Sequence, residues 1–416
     1  MEKSRIITVE LDDHGNLILP AELLAVYGII PGAQIKLDTS AIGFSLSRSS
    51  DNLARVYIEP TNVCNLECAT CIRNSWDELP GKMSFDSFER IMDGIASITP
   101  KPSVFFGGFG EPLTHPRILD MVANAKKVAE NVELITNGIL LTPEVSKALI
   151  NLGLDRLWVS LDGATPKSYA DVRLGDMLPR VLANLKEFQS LKKKLGSANP
   201  HLGIAFVAMK RNISDLPDIV EIGKSLGADL FSISNVLPHT PEMVKDALYV
   251  GPHNGETPMS EWSPVLSLPR MEMNEFTTNP ILAAIRKAGS VSITRKELPL
   301  GADVCPFVEK GSVSIRWDGA VAPCLALLHE NENFLDFRKR KTQAYIIGNI
   351  NQNQLLDIWN STTYSELRKR LLAFNFAYCT ICNSCDLVDS NIEDCFGTPA
   401  PACGGCLWAQ GFIQCP

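Results

Sequence analysis

Cys64-Asn65-Leu66-Glu67-Cys68-Ala69-Thr70-Cys71 packs three thiols into one short loop, spaced C-x3-C-x2-C. Three thiolates can ligate three irons of a 4Fe–4S cube and leave the fourth iron open to a ligand. The competing reading is zinc. A structural zinc site takes four ligands, and no fourth Cys or His lies near this loop in the sequence. Nine further cysteines follow position 304: Cys305, Cys324, Cys379, Cys382, Cys385, Cys395, Cys403, Cys406 and Cys415. Twelve cysteines in such tight groups read as metal ligands rather than disulfides in a reducing compartment. Two fully ligated cubes need eight thiolates, so one of the nine is spare or one cube is ligated unusually.

The elements that must position this loop alternate along residues 51–300. Candidate strands are Val56–Ile58, Val104–Phe106, Val132–Ile135, Leu157–Leu161, Gly203–Val207 and Leu230–Ile233. Helical spacing lies between them: Phe85, Phe88, Ile91, Met92 and Ile95 after Ser84, a helix capped by Thr142 with Pro143 first, and a third through Val181, Leu185, Phe188 and Leu191. Repeated βα units imply a parallel α/β sheet of about six strands, curled into a partial (β/α)6 barrel that places its chemistry at the C-terminal strand ends. Candidate binding residues stand at those ends. Gly107-Gly108-Phe109-Gly110-Glu111-Pro112 follows the second strand, Thr136-Asn137-Gly138 the third, and Ser160-Leu161-Asp162-Gly163, then Arg173, the fourth. Glycines admit a close ligand, while Ser and Arg suit ribose and carboxylate oxygens. Singly, each is more often a turn or a surface contact; their order along one array sets them apart.

Residues 238–280 break the rhythm with Pro and Gly, which reads as a functional lid or a disordered loop. Residues 301–416 carry the nine cysteines and one periodic stretch, Thr363–Phe374, the texture of a domain folded around metal. Residues 1–50 form a small β-rich module, read as strand, short helix, strand around Ile6–Leu11, Leu17–Leu19 and Ile35–Leu37. The expected domains are therefore 1–50, 51–300 and 301–416.

A net charge of -8 and only short basic runs at Lys192–Lys194 and Arg338–Lys341 argue against a nucleic-acid partner. No apolar run is long enough to span a membrane, and MEKSRIITVELDD lacks the apolar core of a secretory signal, so a cytoplasmic, membrane-free protein is expected.

Residues 55–280 resemble the radical SAM superfamily, whose members cleave S-adenosylmethionine (SAM) reductively to a 5′-deoxyadenosyl radical. The resemblance implies that Cys64, Cys68 and Cys71 hold the 4Fe–4S cluster that binds SAM. It also implies that Gly108, Gly110 and Glu111 meet the methionyl amine and that Asn137, Ser160, Asp162 and Arg173 line the SAM site. The family's aromatic residue before the third cysteine is replaced here by Thr70, which leaves that face of the adenine to Ile72 or another side chain. Residues 301–416 resemble the SPASM extension through Cys305, Gly319-x4-Cys324, Gly348–Ile350, Leu355–Ser361 and the later cysteines, which implies one or two auxiliary 4Fe–4S clusters. Within that group, Cys71–Glu78, Asn235–Thr240 and the ending CGGCLWAQGFIQCP resemble the maturases of tungsten-containing aldehyde ferredoxin oxidoreductases. The implied partners are a client tungsten oxidoreductase or its pterin cofactor, and an electron donor such as ferredoxin. Arg73, Asn74, Trp76 and Asp77 then either shape the substrate entrance or pack the loop.

The first fifty residues resemble an AbrB-like swapped hairpin through Asp13–Pro20 and Ile29–Ala33. With four Lys/Arg against six Asp/Glu, the module fits homodimerisation or client docking better than DNA. The alternatives are a maturase of a ribosomally made peptide, an iron–sulfur DNA-binding regulator, and a bare electron-transfer protein. No residue stands out as a general base or hydrogen donor, so no catalytic residue is assigned beyond the cluster ligands. Cys68→Ala is expected to abolish 5′-deoxyadenosine formation while circular dichroism keeps its native shape; retained formation would remove the cluster assignment.

Overall fold

The computed structural model describes residues 10–14, 16–20, 35–40, 43–48, 52–173, 177–249, 265–267, 271–272, 274–288, 292–294, 305–335, 338–377, 379–382 and 385–415. Near the start, β1 (Glu10–Leu11) pairs antiparallel with β2 (Leu17–Ile18), and β3 (Ile35–Ser40) with β4 (Gly43–Arg48). Asp12 closes the first turn, its Oδ1 accepting from the backbone N–H of His14 and Asn16 at 2.9 and 2.7 Å. The short helix expected around Leu17–Leu19 is instead a strand: Asn16 turns the chain back so that Leu17 and Ile18 pair with Leu11 and Glu10.

The array that follows is built as its periodicity requires. β5 (Arg55–Ile58), β6 (Ser103–Phe106), β7 (Val132–Thr136), β8 (Arg156–Ser160), β9 (His201–Ala208) and β10 (Ala228–Asn235) lie side by side in chain order, all parallel. Val56, Ile58, Val104, Phe106, Leu134 and Val159 are fully buried, because a parallel sheet with helices on its face has few wet positions. The helices carry the expected stops and starts. Ser84 caps Phe85–Ala96, its hydroxyl accepting from Ser87 N–H at 3.0 Å, and Phe88, Ile91, Met92 and Ile95 are buried on one face. Thr142 caps Pro143–Asn151 in the same way. Leu178–Lys194 buries Val181, Leu185 and Phe188.

The sheet is wider than the expected six strands. Beyond β10 it continues parallel through β11 (Val265–Ser267) and β12 (Ser292–Thr294). On the far side, β13 (Ser312–Ile315) lies parallel to β5, and β14 (Ala320–Ala322) follows antiparallel. A separate antiparallel pair, β15 (Asn331–Leu335) and β16 (Arg338–Thr342), precedes β17 (Gly348–Asn349), which closes that edge against β14. Among the described residues the result is one eleven-stranded sheet. β11 and β12 are three residues each and too short to show a period. The tract read as lid or disorder also holds the helix Pro241–Asp246, capped by Thr240. Among the described residues no helix is long and apolar enough to cross a membrane. Helices Leu355–Asn360 and Thr362–Ala373 complete the C-terminal region, the second within one residue of its expected bounds.

Candidate functional site

The cysteine loop leaves the C-terminal end of β5 and is held on both sides. On its inner side, Cys71 N–H donates to Cys68 O at 3.1 Å, Asn74 N–H to Cys71 O at 3.0 Å, and Asn74 Nδ2 to Cys68 O at 3.1 Å. Asn74 is thus loop packing rather than entrance. On its outer side, Ala69 N–H donates to Val172 O at 2.9 Å, which brings the helix Pro166–Arg173 against the loop; the Arg173 side chain lies outside the described ones. Burial pushes the Cys64 and Cys71 thiols up, and the charges of neighbouring thiols add to it. Thiols so placed ionise readily only against a cation, which is what a cluster iron supplies.

The strand ends converge on that loop. Gly110 packs so closely under it that a Cβ there would lie 2.1 Å from Thr61 O, and Gly108 adopts φ +117° with no room for a side chain against Glu59. Glu111 is buried, and both of its carboxylate oxygens accept hydrogen bonds. Oε1 accepts from Leu113 N–H (3.1 Å) and the Thr136 hydroxyl (2.8 Å), and Oε2 from Asn137 N–H (2.7 Å). Asn137 in turn points Nδ2 at Asn65 Oδ1 (2.8 Å) and Cys64 Sγ (3.9 Å). Cys64, Cys68, Cys71, Gly110, Glu111 and Asn137 therefore form one connected group. Ser160 stands half-buried at the end of β8. Asp162, two residues on, ties the neighbouring strand by accepting from Val207 N–H at 2.8 Å.

Sequence reasoning missed a buried ionic line above β5. His329 is 1% exposed and lies between two carboxylates: Nε2 is 2.8 Å from Glu59 Oε2, and Nδ1 is 2.7 Å from Glu78 Oε2. A neutral ring can donate from one nitrogen only, so both contacts are satisfied only by imidazolium. Burial disfavours that charge, but the hydrogen bonds and charges of Glu59 and Glu78 outweigh it and hold the group above its usual range. Trp76 lies over the His329 ring at 4.2 Å, with Phe109 edge-on to both. Ser75, Trp76, Asp77 and Glu78 face Glu330, Asn331, Glu332 and Lys341 across a cavity of about 410 Å³. The one hint in the sequence was Glu59 at the end of an otherwise apolar strand.

The C-terminal thiols sort into groups that their spacing left open. Cys305, Cys324, Cys403 and Cys406 line one cavity. Burial pushes all four up, Cys305 to about 12, and the charges of the other thiols reinforce this at Cys305, Cys324 and Cys403. Cys379 lies in range of Cys385 and Cys395, which are exposed; for Cys382 only the backbone is described. Cys415 accepts from the Trp408 indole N–H at 3.4 Å and lies in range of Cys406. Among the described residues no three His, Cys, Asp or Glu groups converge as ligands of a single ion do. A cube does not require that, because each thiolate takes its own iron.

The Radical SAM superfamily pattern matches residues 58–222, and the SPASM iron-sulfur cluster-binding domain matches residues 305–386. Among solved structures, anSMEcpe with bound AdoMet superposes with a TM-score of 0.54 at 16% identity, covering 86% of this chain and 96% of that one. SuiB of Streptococcus suis bound to S-adenosylmethionine superposes at 0.53 and 17%, covering 81% and 71%. Fold, motifs and cysteine regions define a radical SAM enzyme with a SPASM extension, which uses SAM, a 4Fe–4S cluster and auxiliary iron–sulfur clusters. A Pyrococcus furiosus protein, the tungsten-containing aldehyde ferredoxin oxidoreductase cofactor-modifying protein, is 33% identical over 365 residues, 87% of this chain and 96% of its own length. This chain belongs to the same family. The AdoMet-dependent heme synthase of Methanosarcina barkeri is 32% identical over 182 residues, 43% of this chain and 50% of that one.

The His329 charge yields a pH test. A folded-state pKa raised above the usual 6.5 or so contributes stability below that pH, and the contribution fades as pH rises through the raised value. His329→Gln is expected to cost about 3 kcal/mol near pH 6, because it strands buried Glu59. Thermal melts of both proteins should converge toward alkaline pH; an equal gap at pH 6 and pH 9 would show that the ring is neutral.

Proposed function

We propose that this protein is a maturase acting on a tungsten-containing oxidoreductase or on the pterin cofactor of that client. The single observation that carries this is the likeness to the Pyrococcus cofactor-modifying protein, which extends over 87% of this chain and 96% of that one. Cys64, Cys68 and Cys71 are the residues to hold the SAM-binding cluster. That cluster, when bound, supplies the electron that breaks a carbon–sulfur bond of SAM and frees a 5′-deoxyadenosyl radical. The chain's own residues bind and orient. Gly108 and Gly110 let the second strand end close on the loop, Glu111 and Asn137 fix it, and Ser160, Asp162 and Arg173 offer polar groups to the rest of SAM. Cys305, Cys324, Cys403 and Cys406 are assigned to one auxiliary cluster, and Cys379, Cys382, Cys385 and Cys395 to the other. Cys415 is the spare thiol. A ferredoxin-type donor and dimerisation or client docking through residues 1–50 complete the reading.

One observation favours a second substrate class. The cavity beside Trp76 is walled by Asp77, Glu78, Glu330 and Glu332 against one lysine, Lys341. Such a wall repels a phosphorylated pterin and suits a cationic or amide-rich peptide segment.

Anaerobically reconstituted protein given SAM and a strong reductant is expected to form 5′-deoxyadenosine, and added client oxidoreductase to acquire a change visible by mass spectrometry in its pterin or in a peptide. Modification of neither would sink the maturase reading. Cys324→Ala should leave SAM cleavage in place, lose one auxiliary cube's iron and stop client modification. Removing residues 1–50 should spare deoxyadenosine formation but slow client modification at least tenfold, and equal rates would remove the docking role.

A further inference from the structure

We propose that Arg340 is a buried positive charge shared by both auxiliary cluster sites and that it raises the reduction potentials of both clusters. The proposal rests on the thiol assignment made above.

β16 alternates two kinds of basic residue. Lys339 and Lys341 face solvent and pair with Glu332 and Glu330. Arg340 points the other way and is 7% exposed. Its Nε donates to Val388 O at 3.0 Å and its Nη1 to Gly405 O at 2.5 Å. Both carbonyls belong to cysteine turns. Val388 N–H returns to Cys385 O at 3.4 Å, and Gly405 sits inside the Cys403–Cys406 turn. The guanidinium passes so close that a Cβ on Gly405 would lie 1.5 Å from Arg340 Nη2. Arg340 also lines the cavity of Cys305, Cys324, Cys403 and Cys406, and it lies in electrostatic range of Cys379 of the other group.

Carbonyls satisfy its donors without cancelling its charge. Among the described residues no carboxylate pairs with it; Asp389, which lies in range, is engaged by Arg338 Nε at 2.5 Å. A buried cation without a counter-ion is costly, and arginine does not give up its proton. Thiolate-ligated cubes are net anions, and reduction makes them more so. A fixed cation between two of them offsets its own burial and favours the reduced form of each.

The test is an anaerobic redox titration of the full reconstituted chain, followed by electron paramagnetic resonance, for wild type, Arg340→Met and Arg340→Lys. Arg340→Met is expected to disfavour reduction of both auxiliary clusters at least tenfold, about 59 mV for one electron, with Arg340→Lys close to wild type and the SAM-binding cluster unmoved. A shift at one auxiliary cluster only, or at neither, overturns the proposal. If Arg340→Met fails to keep its iron, Arg340→Gln replaces it and iron retention is read. Retention by Lys but not Gln supports the charge, and equal retention or equal loss overturns it. Wild type holding about eight irons per chain rather than about twelve, one auxiliary cube beside the SAM-binding cluster, would instead overturn the thiol assignment itself.

Discussion

An imidazolium pinned between two carboxylates holds this molecule's site together. Glu59 ends the first strand of the sheet, Glu78 ends the segment that leaves the cysteine loop, and His329 follows Cys324 in the C-terminal region. Glu59 and His329 are buried and each is costly alone, while the part-exposed Glu78 completes the line from the solvent side. The line therefore works as a condition on assembly. The cysteine loop reaches its final path only when the sheet and the C-terminal region are docked on either side of it. Trp76 and Phe109 seal the ring from water and strengthen the attraction by keeping the local dielectric low.

The two halves of the cysteine loop are fixed by different physics. Its entry is governed by shape: Gly110 lets backbone touch backbone at Thr61, and the Glu111 carboxylate gathers the next strand end through directed hydrogen bonds. Its exit is governed by charge. The C-terminal thiols show a similar contrast. Cys305, Cys324 and Cys403 are buried with Cys406 around one cavity, whereas Cys385 and Cys395 face solvent. A buried group keeps its electrons from adventitious acceptors, and an exposed one exchanges them with a docked partner without a long path.

Much of the sheet was legible because its signals are local. Alternating apolar runs placed β5 to β10 within a few residues, and Ser84 and Thr142 announced their helices by type and position. The triple-cysteine loop and the strand-end motifs were equally local. What escaped was long-range or short. β11 and β12 are too brief for a period, and β13 is read as a partner of β5 only once the chain has folded back. His329 has no telling neighbours in sequence, since both its partners come from the other end of the array. The grouping of the late cysteines was unreadable for the same reason: Cys305 and Cys406 share a cavity although about a quarter of the chain separates them, and spacing does not encode that.

The position of β13 has a consequence for how the protein is made. Until Ser312–Ile315 emerge and lie down beside Arg55–Ile58, the first strand of the sheet remains an open edge. Most of the chain must leave the ribosome before that edge is covered, and non-local pairing of this kind is slow. During that interval Cys64, Cys68 and Cys71 hang from an unfinished margin. Once β13 docks and brings the C-terminal region over the loop, Cys68 is buried and Cys64 and Cys71 are half-buried. The strand order thus leaves the loop most open early in the protein's life, before β13 covers the edge.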